Sequence, residues 1–177
     1  MTEFEPRYYL SLDTLMLQPK KEGNKIFTRV VERDRIVTVP KKPIHIITAS
    51  CTYYGSSYAT AMSTSKRLFG ENKQKAPFLL ANAFGIPFIF LPTLSPLSDQ
   101  NVWISVHAID FYDEDGLGTF VVLENGEKYH LDISETTMNR QYALGKLLER
   151  NFLKRQKSFH SSLRFPPNGP STDYPTL

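Results

Sequence analysis

The chain has 177 residues, 41% apolar and 12% aromatic, which suits one domain with a real core and is short for two. The net charge is +3, but residues 1–75 carry 13 Lys and Arg against 7 Asp and Glu, residues 76–139 carry 1 against 9, and residues 140–177 carry 7 against 2. One cysteine, Cys51, excludes an internal disulfide or a cysteine zinc site, and no apolar run reaches the roughly 20 residues of a bilayer span.

In chain order, Arg7 to Leu17 is aromatic and Leu-rich and predicts a strand or a bent pair of strands. Lys25 to Val31 alternates apolar and polar side chains, Glu32 to Asp34 is a turn, and Arg35 to Val39 is β-branched, so the three read as a hairpin. Pro40 to Pro43 punctuates the chain and leaves Lys41 and Lys42 at a loop tip. Ile44 to Ala49 reads as a third strand. Ser56 or Ser57 caps a short helix over Tyr58 to Phe69, closed by Gly70. Lys73 to Pro77 is an exposed loop. Phe78 to Ala81 and Ile86 to Leu91 are apolar strands, and Pro87 and Pro92 suggest edges or bulges. Val102 to Phe111 alternates and predicts a half-buried strand. Asp113 to Gly118 is a turn. Thr119 to Glu124 and Glu127 to Ile133 form a hairpin around Asn125-Gly126. Tyr142, Leu144, Leu147, Leu148 and Phe152 then fall at helical spacing and predict one amphipathic helix of about twenty residues. The expected fold is α+β: a β-rich single domain of mostly antiparallel strands with a short middle helix and a C-terminal amphipathic helix. The domain spans 1–157, and 158–177 is a flexible tail.

No pattern demands catalysis. Cys51 with His45 or His107 is the one nucleophile–base pairing on offer, and a buried small hydrophobe is the simpler reading of that thiol. The four histidines lack metal-ligand spacing, no phosphate-cradling Gly motif is present, and neither metal nor cofactor is expected. The basic residues fall in three groups: Lys41 and Lys42; Lys66, Arg67, Lys73 and Lys75 around Gly70, with Asn72 and Gln74 interleaved; and the late helix, including Arg150 and Lys154. Such side chains bind phosphates and read groove edges. The helix charges are equally explained as its solvated face. No helix-turn-helix pattern appears, so any DNA site is expected on loops and β-structure.

Ser50, Cys51, Tyr53, Tyr54, Gly55, Ser56, Ser57 and Tyr58 together resemble a motif of the ComK family of competence transcription factors of Gram-positive bacteria. Phe88 to Ser95, and Trp103 to Ser105 followed by Val106 and His107, resemble two further segments of that family, in matching order over residues 20–155. The resemblance implies a transcription activator of DNA-uptake genes rather than an enzyme. It implies binding to AT-rich promoter boxes of double-stranded DNA, largely through the minor groove, as cooperating homodimers that engage RNA polymerase. Lys41, Lys42, Ser56, Ser57, Tyr58, Lys66, Arg67, Asn72, Lys73, Lys75, Arg150 and Lys154 are the expected DNA contacts. Ser56 to Tyr58 are equally readable as helix cap and core. The resemblance also implies control by a MecA/Clp proteolytic adaptor. Here only Leu163, Phe165 and Pro166 stand where the family's adaptor-binding segment lies. A cytoplasmic, nucleoid-associated place follows, with no membrane contact. The alternatives are a small cytoplasmic enzyme using Cys51, and an RNA-binding or adaptor module.

Overall fold

Gly23 and Asn24 reverse the chain between β2 (Thr14–Glu22) and β3 (Lys25–Glu32), with Gly23 at φ +59°. This hairpin seeds a seven-stranded sheet in the computed structural model, which describes residues 2–83 and 85–162. The other strands of this sheet are β1 (Thr2–Phe4), β4 (Ile36–Val39), β5 (Phe78–Ala83), β6 (Ile86–Pro92) and β7 (Trp103–Ser105). Their order is β1-β4-β3-β2-β7-β6-β5, and every pairing is antiparallel except β1 with β4. A second sheet has the order β10-β9-β8, from β8 (Ile109–Asp115), β9 (Gly118–Leu123) and β10 (Lys128–Leu131). The helices are α1 (Pro43–Tyr53), α2 (Tyr58–Phe69) and α3 (Glu135–Ser162). The α+β class expected from the sequence is the observed one.

The large sheet is buried on both faces. Leu17, Val30, Val39, Phe88, Phe90 and Trp103 point to the side of α1 and α2. Leu15, Met16, Val31, Ile89, Leu91 and Ile104 point to the other side, against Val121, Leu123, Met138 and Leu148. A strand covered on both faces needs no polar alternation, so Phe88-Ile89-Phe90-Leu91 is continuously apolar. β6 is therefore an interior strand, and the edge placement suggested by its prolines is corrected. Pro87 and Pro92 lie near the two ends of β6, where loss of a ladder donor matters least.

The largest departure from expectation is α1, where a third strand was predicted. Pro43 occupies the first helical turn, where its missing N–H is no loss. Ile46, Ile47, Ser50 and Cys51 are buried, which is the i, i+1, i+4, i+5 stripe of a helix and not a strand's alternation. Packing of that stripe overrides the β-branched composition. Ser50 Oγ donates to the Ile46 carbonyl (2.7 Å) and accepts from the Leu10 backbone N–H (2.9 Å), which docks residues 8–10 on the helix. Residues 7–13 are accordingly not a strand, and β2 starts only at Thr14. Tyr8 donates to the buried Glu32 carboxylate (2.6 Å), and Arg35 pairs with Glu32, Glu3 and Glu5, tying β1 to the β3–β4 turn. Burial, then the Glu32 bond, pushes the Tyr8 phenol far above its ordinary range.

Between β7 and β8 a 3-10 turn, Val106–Ala108, carries the chain from the large sheet to the small one, so Val102 to Phe111 is not one strand. β8 runs on to Asp115 and takes in three residues expected in a turn; its outer edge has no partner strand among the described residues, and the strand carries Asp110, Asp113, Glu114 and Asp115. The β9–β10 turn spans Glu124 to Glu127, wider than a two-residue turn, with Gly126 at φ +82°. α3 lies mainly on β6 and also reaches β5, β9 and the 3-10 turn. It has 28 residues and continues through Ser162, past the expected end at 157. The rest of the expected tail, with Leu163, Phe165 and Pro166, lies outside the described residues. No helix among the described residues is long and apolar enough to cross a membrane.

Candidate nucleic-acid interface

The turn at Gly55 sets up the site. Gly55 has φ +80°, and Ser57 caps α2 by accepting the Thr60 N–H (3.1 Å). Tyr58 is half-buried edge-on to Phe78 (5.8 Å between centroids), and burial pushes its phenol up to about 12. The structural reading of Ser57 and Tyr58 is thus realised, while Ser56 is exposed with its N–H on the Cys51 carbonyl. α2 then points Lys66 and Arg67 from its last turn, and Gly70 ends it at φ +102°.

The loop after Gly70 is braced at two carbonyls. Buried Ser65 donates from Oγ to the Pro77 carbonyl. Gln141 of α3, only 2% exposed, donates from Nε2 to the carbonyls of Lys75 (2.9 Å) and Pro92 (2.6 Å). Residues 71–75 therefore run from α2 to a loop end that is fixed beside β5. Gln141→Met keeps the volume and removes both donors, leaving two carbonyls without this partner. A stability loss of about 1–3 kcal/mol in denaturant melts is expected, with faster amide exchange over residues 71–76.

The result is an open groove of about 980 Å³. Tyr58, Met62, Ser63 and Lys66 form the α2 wall; Glu71, Asn72, Lys73 and Gln74 form the floor; Ser95, Pro96 and Leu97 form the far wall. Across Pro96 and Leu97 lies a smaller cavity of about 200 Å³, lined also by Lys42, His45 and Asp99. Lys42 is not at a free loop tip as expected, but is the residue just before α1, paired with Asp99 (2.7 Å). Lys42 and the Lys66–Lys73 pair thus stand on opposite sides of one loop. Lys41, Arg67 and Lys75 are exposed but outside the groove lining. Arg150 and Lys154 are exposed on α3, which packs on the other face of the large sheet, so they do not join this cluster.

A second cleft of about 790 Å³ carries Lys20, Lys21 and Arg29 with Asp99 and Asp132, the same net charge as Lys66, Lys73 and Glu71 give the groove. His130 on its rim is held above its ordinary value by its hydrogen bond to Asp115, with Asp132 adding to it. Cys51 is 1% exposed, and burial pushes its thiol up to about 11, which keeps it protonated and closed to substrate near neutral pH. No group of three or more His, Cys, Asp or Glu among the described residues is arranged to hold a metal ion.

Several contributors, among them Ser63, Leu97 and Gln141, were not singled out from the sequence. Ser63 carries no pattern beyond the helix. Leu97 comes from the β6–β7 connection, some 25 residues from the basic stretch. Gln141 carries no signal in the sequence, and only its position beneath two carbonyls gives it a role.

Comparison with known proteins bears on the family and not on the groove. The family described as ComK protein matches residues 5–157. The competence transcription factor of Bacillus subtilis (strain 168) is 31% identical over 135 residues, which cover 76% of this chain and 69% of that protein. No solved structure is a significant match. The chain belongs to the ComK family.

Proposed function

We propose that the protein is a transcription factor of DNA-uptake genes that binds duplex DNA along the groove between α2 and the Pro96–Leu97 loop. The observation that carries this reading is the convergence of Lys66, Asn72 and Lys73 on one open groove. Cations there neutralise phosphates and gain from counterion release, while Asn72 and Gln74 offer donors and acceptors to base edges. Membership of a family whose Bacillus subtilis relative is a competence transcription factor supports the same reading. Residues up to 157 act as the DNA-binding domain. The preferred target is an AT-rich box read mainly from the minor groove, because A-tracts narrow that groove and deepen its negative potential. Homodimers or pairs of dimers occupy such boxes and engage RNA polymerase in the cytoplasm, at the nucleoid. Leu163, Phe165 and Pro166 serve as the contact for a MecA/Clp-type adaptor. An enzyme using Cys51 is disfavoured by the burial of its thiol.

Mobility shift on AT-rich and GC-rich duplexes over a salt series tests the reading. Tighter binding to the AT-rich duplex, weakening steeply with salt, is expected. Equal binding to both removes the groove preference, and no binding at low salt removes DNA altogether. A second reading, single-stranded RNA, is favoured by the exposed stack of Tyr9 on Tyr53 (4.2 Å between centroids), since such rings pair with bases. RNA that displaces the duplex at equal nucleotide concentration would select it.

A further inference from the structure

Two leucines among the described residues stand almost free of the surface, Leu97 at 85% exposure and Leu117 at 103%. Their settings differ. Leu117 tips the β8–β9 turn beside Glu114 and Asp115, where a polyanion is repelled. Leu97 stands on the wall shared by the groove of Lys66 and Lys73 and the cavity of Lys42.

The backbone under Leu97 is stiff. Pro96 fixes its own φ and restricts Ser95 before it. The Ser98 N–H closes a turn on the Ser95 carbonyl (2.9 Å). Buried Asn101 accepts the Leu94 N–H through Oδ1 (2.8 Å), and buried Thr93 accepts the Val102 N–H through Oγ1 (3.1 Å). An apolar tip on a braced turn, between cations, is ordered before anything binds.

We infer that Leu97 is a wedge that enters the base stack of a duplex whose phosphates are held by Lys66 and Lys73 on one side and Lys42 on the other. The inference rests on the DNA-binding reading above and adds a way of selecting sequence. The Lys42–Asp99 pair is solvent-exposed on both sides and therefore weak, so a phosphate displaces Asp99 readily. Insertion of an apolar side chain partly unstacks a step and kinks the helix away from it. Pyrimidine–purine steps such as TA give way most easily, so a wedge favours AT-rich sites without a hydrogen bond to any base.

The test uses the full chain with an AT-rich duplex carrying 2-aminopurine at a TA step, and a second duplex end-labelled for energy transfer. The wild type is expected to raise the 2-aminopurine emission and shorten the end-to-end distance. Leu97→Ala is expected to lose both signals and about tenfold in affinity or more, the equivalent of one leucine's burial. Its salt dependence stays at the wild-type slope, because Leu97 neutralises no phosphate. Its thermal midpoint also stays unchanged, because the side chain is exposed. A wild type that binds no duplex overturns the DNA reading itself. A Leu97→Ala variant that binds and keeps the wild-type emission and bend overturns the wedge alone. A fall in its affinity accompanied by a shallower salt slope overturns it as well, assigning Leu97 to cation placement.

Discussion

Replacing both Lys66 and Lys73 by Glu is expected to weaken duplex binding about thirtyfold or more at 0.15 M salt, whatever the sequence. The estimate follows from counterion release. Each neutralised phosphate contributes about 0.9 to the slope of log affinity against log salt, so two lost contacts make the slope shallower by about 1.8. Repulsion between the new carboxylates and the phosphates, reinforced by Glu71 in the same groove, adds to the loss. Both lysines are partly exposed, so the fold should survive, and unchanged circular dichroism serves as the control. Wild-type affinity and slope in this variant would move the contact to Arg150 and Lys154, on the other side of the large sheet.

Trp103→Ala is expected to lower stability by about 3–5 kcal/mol. The indole is 1% exposed, edge-on to Phe78 (5.3 Å between centroids), on a strand that pairs with both β2 and β6. Its removal opens a cavity at the centre of the layer joining α1 and α2 to the sheet. A domain of this size holds about 5–15 kcal/mol in all, and each kcal/mol moves the thermal midpoint by about 2–4 °C, so a drop of roughly 10–15 °C is expected in calorimetry. A shift under about 3 °C would mean that the sheet and helices close over the gap.

The elements that were legible in the sequence are those whose signals are local. Ser57, the helix that follows and Gly70 are adjacent in sequence, and the cap formed as written. The β9–β10 hairpin carries its own Asn-Gly turn. α1 was hidden because six residues of Ile, His, Thr and Ala cannot show a period, and what decides their conformation is the sheet they land on. The pairing of β1 with β4 was hidden for a related reason. It is parallel and non-local, and depends on Arg35 reaching Glu3 and Glu5 from some thirty residues away. In the candidate groove, charge type could be read directly, and Lys66, Asn72 and Lys73 line it together. Which cations share a surface is a property of the layers. The sequence could therefore read Arg150 and Lys154 equally as DNA contacts or as a solvated helix face, and only the layers show that the large sheet separates them from the groove.

The acidic edge of β8 bears on how many copies can crowd together. An unpaired strand is a template for a strand from a neighbouring molecule. Asp110, Asp113, Glu114 and Asp115 would meet their own counterparts if two such edges approached. Like charges along this edge oppose its pairing with the same edge of a second copy.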